Sequence, residues 1–289
     1  MLKDPDFIAF LSRLVCVPKC AGCGKRLPPF SKKDNLSYKR VCLCDSCMQS
    51  WQIAKREMCH ICSMPAGECT CTNFNRKIKQ PFIPSIIFYH SDRSKIQNKV
   101  LFCAKRKSDP ELFEFMAKEL APSVKRLLKE SGTDESHCVM TWIPRKTDAV
   151  KKYGHDQAKL LCLALAQELD CHLALPLLER RGGKEQKKLD ARSRDKNIGE
   201  SVFLRKRLTR KDRKKLKQVL PNADSITPRD VVEGRTVIVI DDIITTGASM
   251  RRAILLLEPQ KPKSVLAACV ARSEIKSKSQ MPKKDKNNE

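Results

Sequence analysis

The stretch Val237-Ile238-Val239-Ile240-Asp241-Asp242-Ile243-Ile244-Thr245-Thr246-Gly247-Ala248-Ser249 decides the fold. Val237 to Ile240 are four consecutive β-branched residues, the mark of a strand covered on both faces. Met250, Ala253, Ile254 and Leu257 then recur at i, i+3, i+4 and i+7, which is one face of a helix. Ser264 to Val270 returns as a strand, and a strand–helix–strand unit of this length predicts a parallel sheet. The fold class is therefore α/β.

The same stretch carries chemistry. A buried strand delivers the chain to the carboxyl edge of a parallel sheet, where open α/β folds bind ligands. Asp241 and Asp242 at that edge can accept hydrogen bonds from vicinal sugar hydroxyls or hold a divalent cation. Thr245, Thr246, Gly247, Ala248 and Ser249 lead into the helix. Their backbone N–H groups can wrap a phosphate with the helix N-terminus behind them. Gly247 permits close approach, and the hydroxyls add donors. Acids for sugar hydroxyls and a loop for a phosphate together describe a ribose 5-phosphate. Two rivals exist: an Asp pair that merely ends a strand and caps a helix, and the acidic strand of an NTPase. The second needs G-x-x-x-x-G-K-[ST], which does not occur; Gly24-Lys25 is followed by Arg26.

Outward from this unit, Ile86 to Tyr89 reads as a strand and Leu112 to Leu128 as a helix. Cys138 to Ile143 reads as a strand stopped by Pro144, and Gln157 to Leu169 as an apolar helix. From Arg181 to Lys217, 16 Lys or Arg face five Asp or Glu. That segment reads as an exposed loop followed by a solvated helix, Leu208 to Leu220.

Cysteine usage divides the chain. Ten of the 15 cysteines lie between Cys16 and Cys71. Cys20-x-x-Cys23, Cys44-x-x-Cys47 and Cys59-x-x-Cys62 have the spacing at which two thiolates on a tight turn chelate one tetrahedral Zn²⁺. Cys69-x-Cys71 is one residue short. Two structural sites are the natural sum: Cys20, Cys23, Cys44 and Cys47, then Cys59, Cys62, Cys69 and Cys71. Cys42 can replace a neighbour, and the pairs can interleave. Cys103, Cys138, Cys162, Cys171 and Cys269 are isolated and read as small core hydrophobes.

The 289 residues carry 58 Lys and Arg against 33 Asp and Glu, a formal charge of +25. A polyanionic partner fits that balance, whether nucleic acid or a phosphate-rich small molecule. No run approaches the roughly 18 apolar residues of a membrane helix, so no membrane insertion is expected. With no secretory pattern at the N-terminus and cysteines suited to metal, the expected compartment is cytoplasmic.

At Val237 to Ser249 the sequence resembles the phosphoribosyl pyrophosphate (PRPP) signature of type I phosphoribosyltransferases. More narrowly, it is similar to the ComF family of competence-associated, amidophosphoribosyltransferase-like proteins, which carry a cysteine zinc module before the transferase domain. Gln186, Leu189, Arg194, Asn197 and Phe203 resemble that family's loop beside the site. Trp142-Ile143-Pro144 resembles its P-V-P turn, and Tyr153-Gly154-His155-Asp156-Gln157-Ala158 stands where the family has R-G-F-N-Q-A. The resemblance implies a type I phosphoribosyltransferase-like parallel sheet flanked by helices and a small N-terminal zinc ribbon module. The expected boundaries are 1–75 for the zinc module (one or two Zn²⁺), 76–84 for a linker, 85–272 for the transferase-like domain with a basic insertion at about 204–231, and 273–289 for a disordered basic tail.

The resemblance also implies PRPP as ligand, Mg²⁺ bound with it, and Asp241 and Asp242 as catalytic residues. Thr245 to Ser249 would hold the 5-phosphate, and Lys105, Arg145, Lys152 and Arg194 would face the pyrophosphate. Transfer of ribose 5-phosphate to a nitrogenous acceptor follows from this pattern. The rival reading is a PRPP sensor or a single-stranded-DNA-binding member of the competence machinery. His155, as a lone loop histidine, reads as a solvated surface residue rather than a general base.

Overall fold

The computed structural model describes residues 17–28, 42–57, 59, 85–90, 92–181, 201–217 and 227–273. The sequence-based expectations for the linker at 76–84, the tail beyond Ser273 and the loop carrying Gln186, Arg194 and Asn197 lie outside these residues.

The chain runs α1 (Asp45–Arg56), β1 (Ile87–Tyr89), α2 (Ile96–Arg106), α3 (Pro110–Glu130), β2 (Cys138–Trp142), α4 (Thr147–Tyr153) and α5 (Gln157–Glu168). It continues with β3 (Leu173–Ala174), β4 (Leu178–Arg180), β5 (Val202–Leu204), α6 (Arg210–Lys217), α7 (Pro228–Val232), β6 (Thr236–Ile244), α8 (Ala248–Leu257) and β7 (Ser264–Ser273). Five strands form one sheet in the order β1-β7-β6-β2-β3. Every pairing in that sheet is parallel. The fold is α/β, as the strand–helix–strand unit predicts.

The central strand explains the layering. Val237, Ile238, Val239 and Ile240 are fully buried. Successive side chains point to opposite faces, so Ile238 and Ile240 join one core with Leu120 and Val124 of α3 and Leu161 and Leu165 of α5. Val237 and Val239 join the other, with Met250, Ala253 and Leu257 of α8. Each such side chain contributes about 1.5–3 kcal/mol when taken from water. Asp109 caps α3 by accepting from the Glu111 N–H, and Pro110 at the first helical position needs no partner for a missing donor.

β6 runs four residues past the predicted end, to Ile244. β7 continues beside it, pairing Asp241 with Cys269 and Ile244 with Arg272. On the other side β2 stops at Trp142, paired with Ile240, and the chain turns away at Pro144, which has no N–H for the ladder. Beyond Ile240 the strand is therefore open on its β2 side, where the two aspartates follow.

The reading of Arg181 to Lys217 as an exposed loop and solvated helix is corrected in part. Val202 to Leu204 pair antiparallel with Leu178 to Arg180. Leu208 and Leu216 are buried with Val231 and Val232 in the second core. The basic helix is thus anchored by one leucine, with Arg210 and Lys214 exposed and Arg213 half-buried. Two apolar residues eight apart are too sparse to register as a periodicity. Of the isolated cysteines, Cys138, Cys162, Cys171 and Cys269 are buried, and Cys103 is half-buried.

The cysteine segment packs onto the sheet domain. Trp51 of α1 is fully buried, its ring centroid 5.4 Å from that of Phe115 on α3. Its indole N–H donates to Glu119 Oε2 at 3.1 Å, and Lys55 Nζ lies 2.6 Å from the same oxygen. Cys20, Leu27, Leu43 and Trp51 belong to the same buried cluster as Leu120 and Ile238. No helix among the described residues is long and apolar enough to cross a membrane.

Candidate functional site

The turn from β6 into α8 is built around Gly247, whose φ of 75° lies in the left-handed region that glycine alone adopts without cost. This conformation lets the chain reverse and start α8 at Ala248. Asp241, Ile243 to Ser249 and Met250 line a recess of about 60 Å³ over the helix start. Thr246 Oγ1 accepts from the Ala248 N–H at 3.4 Å, and the Thr246 carbonyl accepts from Arg251 Nη1 at 2.8 Å. A ten-residue helix pointing its first N–H groups at this recess favours an anion there. Thr245, Thr246, Gly247, Ala248 and Ser249 are thus brought together around one concavity.

The aspartates sit just inside it. Asp241 Oδ1 accepts from the Asp242 backbone N–H at 2.9 Å, and Asp242 Oδ2 accepts from Gln157 Nε2 at 3.1 Å. Burial, and then the neighbouring Asp242 charge, hold the Asp241 carboxyl well above the usual carboxylate range. Asp156 is also raised, chiefly by burial, against the pull of N–H donors from Arg145 and Lys159. Its oxygens accept from the Arg145 N–H at 2.9 Å and from the Lys159 N–H at 3.3 Å, so it caps α5 and fastens the turn after β2. Gln157 Oε1 is buried with no protein partner. An unsatisfied acceptor beside a carboxylate is what a hydroxyl or a hydrated cation would fill.

Arg180, at the end of β4, reaches the loop from the opposite side. Its Nη2 donates to Ser249 Oγ at 2.9 Å, and its Nε is buried without a protein partner. Burial lowers the Arg180 pKa, while Asp241 and Asp156 oppose that shift. Nothing in the sequence singled out this arginine, since it is adjacent to Arg181 at the start of a charge-rich stretch. Gln157 was visible only as part of a family pattern.

The pyrophosphate-side candidates divide. Arg145 stacks on the Tyr153 ring, 4.5 Å from its centroid. Its Nη1 donates to the Lys105 carbonyl at 3.1 Å and the His155 carbonyl at 3.2 Å, so part of the guanidinium ties α2 to the turn. Lys152 Nζ lies 5.4 Å from the same ring, and Lys105 is half-buried at the end of α2. Arg194 lies outside the described residues. Its segment leaves and re-enters at Arg181 and Ser201, where the Arg181 N–H donates to the Ser201 carbonyl at 3.0 Å.

His155 corrects the surface reading. It is 7% exposed, with Nδ1 2.9 Å from the Tyr153 carbonyl and Nε2 2.8 Å from the Ala104 carbonyl. Both ring nitrogens are engaged by backbone, which makes it a fastener and not a base facing substrate.

The four thiols of Cys20, Cys23, Cys44 and Cys47 lie within 4.8 Å of one another. Cys23 Sγ and Cys44 Sγ are 3.7 Å apart. A tetrahedral zinc with Zn–S of about 2.3 Å sets sulfurs about 3.8 Å apart, so the set fits that ion. The backbone N–H groups of Gly22 and Cys44 point at Cys20 Sγ, at 3.4 and 3.3 Å. The Ser46 hydroxyl, foremost among several hydrogen bonds, lowers the Cys44 thiol to about 6. Cys42 is not in the set; burial pushes it up to about 12, and its carbonyl accepts from the Ala21 N–H. The pairs do not interleave here. For the second set, Cys59 is described, whereas Cys62, Cys69 and Cys71 are not.

An open parallel sheet with acids and a tight glycine turn at its carboxyl edge defines a class: α/β folds whose ligand site lies at the carboxyl ends of the strands. Residues 161–288 match the family model of the phosphoribosyl transferase domain. A hypoxanthine phosphoribosyltransferase from Staphylococcus aureus is among the similar solved structures, at 18% identity and a TM-score of 0.31, covering 58% of this chain and 71% of that one. No match was found among curated proteins.

Proposed function

We propose that the protein binds PRPP with Mg²⁺ and transfers its ribose 5-phosphate to a nitrogenous acceptor, releasing pyrophosphate. The observation that carries this reading is the join of β6 to α8. A carboxylate pair on the open side of a buried strand lies next to a left-handed glycine and a helix start. The 5-phosphate takes the recess of Thr245 to Ser249, and the vicinal hydroxyls take Asp241 and Asp242. Gln157 Oε1 offers one more acceptor beside them. When C1 loses pyrophosphate, positive charge develops on the ribose ring, and carboxylates aimed at it stabilise that charge. Mg²⁺ carried with the substrate supplies neutralisation of the leaving group. Lys105, Arg145, Lys152 and Arg194 stand as the pyrophosphate-side cations.

Under the same reading, Cys20, Cys23, Cys44 and Cys47 hold a structural Zn²⁺ with no open position, and Cys59, Cys62, Cys69 and Cys71 hold a second. The order of zinc module and transferase domain supports a ComF-type protein of the cytoplasm with a role in DNA uptake. Isothermal titration with Mg²⁺–PRPP tests the proposal. Binding is expected, together with pyrophosphate release in the presence of an acceptor base. Both should vanish in Asp241→Asn/Asp242→Asn. Absence of any affinity for PRPP, with or without Mg²⁺, overturns it.

A second reading, non-catalytic PRPP sensing or binding of single-stranded DNA, is favoured by Arg181 stacked 4.7 Å from the Phe203 ring centroid beside further arginines. Salt-sensitive DNA binding that survives the double aspartate substitution would support it.

A further inference from the structure

The end of the sheet opposite the phosphate loop holds a second concentration of chemistry. Cys138 opens β2, and Cys171 lies in the turn between α5 and β3, the neighbouring strand. Their Sγ atoms are 3.4 Å apart. A disulfide requires about 2.05 Å, so closure asks for an approach of only about 1.4 Å. Asp170, with φ of 51°, kinks the chain so that Cys171 comes back under β2, and the Cys171 N–H donates to the Ala166 carbonyl at 2.8 Å.

The pair is polar in its arrangement. Cys138 Sγ also reaches the Glu135 carbonyl at 3.1 Å, and Cys171 Sγ reaches the Cys138 carbonyl at 3.3 Å. The hydrogen bond from Cys138 lowers the Cys171 thiol, and the same contact raises that of Cys138. Cys171 is 6% exposed and Cys138 is fully buried. Asp170, next to Cys171, and Glu135, three residues before Cys138, line an open cavity of about 630 Å³ with Lys125 and Lys129 of α3 on its wall; neither sulfur lines it. Two sulfurs in contact, the slightly exposed one hydrogen-bonded by the fully buried one, have the layout of an attacking and a resolving thiol.

We propose that Cys138 and Cys171 form a reversible redox dithiol that a small hydroperoxide oxidises. The Cys171 thiolate attacks the outer peroxide oxygen, the O–O bond breaks, and hydroxide or alkoxide leaves, giving the Cys171 sulfenic acid. Cys138 sulfur then attacks Cys171 sulfur, the S–O bond breaks, and water leaves with the Cys138 proton. Two thiols lose two electrons to one hydroperoxide, and a dithiol reductant reverses the step by exchange. The site is independent of PRPP binding, because it lies at the other edge of the sheet.

The test uses the full, reduced, metal-loaded protein exposed to hydrogen peroxide, then unfolded, alkylated, digested and mapped by mass spectrometry. A peptide linking Cys138 to Cys171, lighter by two hydrogens, is expected to appear with peroxide and disappear with dithiothreitol. In Cys138→Ser, Cys171 should stop at a sulfenic acid that dimedone traps. If both cysteines are still fully alkylated on unfolding after the native protein has met a molar excess of peroxide, or if Cys171 links instead to Cys162, the proposal is wrong. The wild-type map decides the matter even where a variant fails to fold.

Discussion

Replacing Arg180 by Met keeps an unbranched apolar stem and removes the guanidinium that bridges β4 to the turn after β6. The wild-type Nη2 donates to Ser249 Oγ at 2.9 Å. The Arg180 Nε is buried without a protein partner and is left to donate to a bound phosphate; such a bond from a charged donor to the ligand contributes about 1.5–3 kcal/mol, and every 1.4 kcal/mol is tenfold in affinity. The dissociation constant for Mg²⁺–PRPP should therefore rise about 10- to 100-fold. A second effect concerns pH. Arg180 pulls the Asp241 carboxyl down against burial and Asp242, which push it up. Without the guanidinium the carboxyl rises further, so binding that needs the ionised acid should fail at a higher pH in Arg180→Met than in wild type. Titration calorimetry over a pH series reads both quantities, and thermal melts confirm folding. Ser249→Ala supplies the control: if Arg180 acts through this hydroxyl, the two substitutions are coupled and their effects fall short of additive. A dissociation constant unchanged at every pH in a folded Arg180→Met protein would refute the reasoning.

Asp241→Asn should raise the melting temperature of the ligand-free protein at neutral pH while abolishing PRPP binding. A carboxyl whose folded pKa is raised costs stability when ionised. The gain should shrink as pH falls through the folded pKa and the wild-type acid becomes neutral; equal melting temperatures at neutral pH would count against it. Gly22→Ala places a Cβ 2.6 Å from Ile96 Cδ1 and 2.7 Å from Cys47 Sγ. Overpacking of this kind costs about 1–3 kcal/mol, so elemental analysis should find weaker metal retention and calorimetry a lower melting temperature. Leu216→Ala should destabilise by about 2–5 kcal/mol in urea unfolding, because the side chain is fully buried. A change near zero would mean that the basic helix is solvated after all.

The strands and helices of the sheet domain were legible because each carries its own period. Four β-branched residues announce β6, and Met250, Ala253 and Leu257 announce the buried face of α8. The chemistry of the loop was legible for a related reason, since acids, hydroxyls and glycine are contiguous in the chain. Arg180, Asp156 and Gln157 were not legible as one site because they meet only through topology. A parallel crossover brings the start of α5 to the edge where β6 turns, and the separate antiparallel β4–β5 pair brings the end of β4 there. His155 was misjudged because a lone histidine in a loop carries no signal of the two carbonyls that receive it. Leu216 was hidden by its neighbours: the surrounding charge dominates any window average, while burial is decided by one side chain.

A four-thiolate site folds a short segment by metal binding alone, and such a module can hang from a protein as a separate bead. Here the knuckle is not separate. Gly22 sits against Cys47 and against Ile96, the first residue of α2. At the other end of that eleven-residue helix, the Ala104 and Lys105 carbonyls receive His155 and Arg145, which shape the turn beside Asp156. Trp51 completes the join by filling the space under α3 and tying its indole to Glu119. One continuous apolar cluster runs from Cys20 to Ile238. A metal held by these thiols, as proposed, would therefore stabilise a surface that the sheet domain also shares and would steady the helix that holds the turn beside Asp156. Proximity in sequence would have separated the two functions; packing makes the first a support for the second.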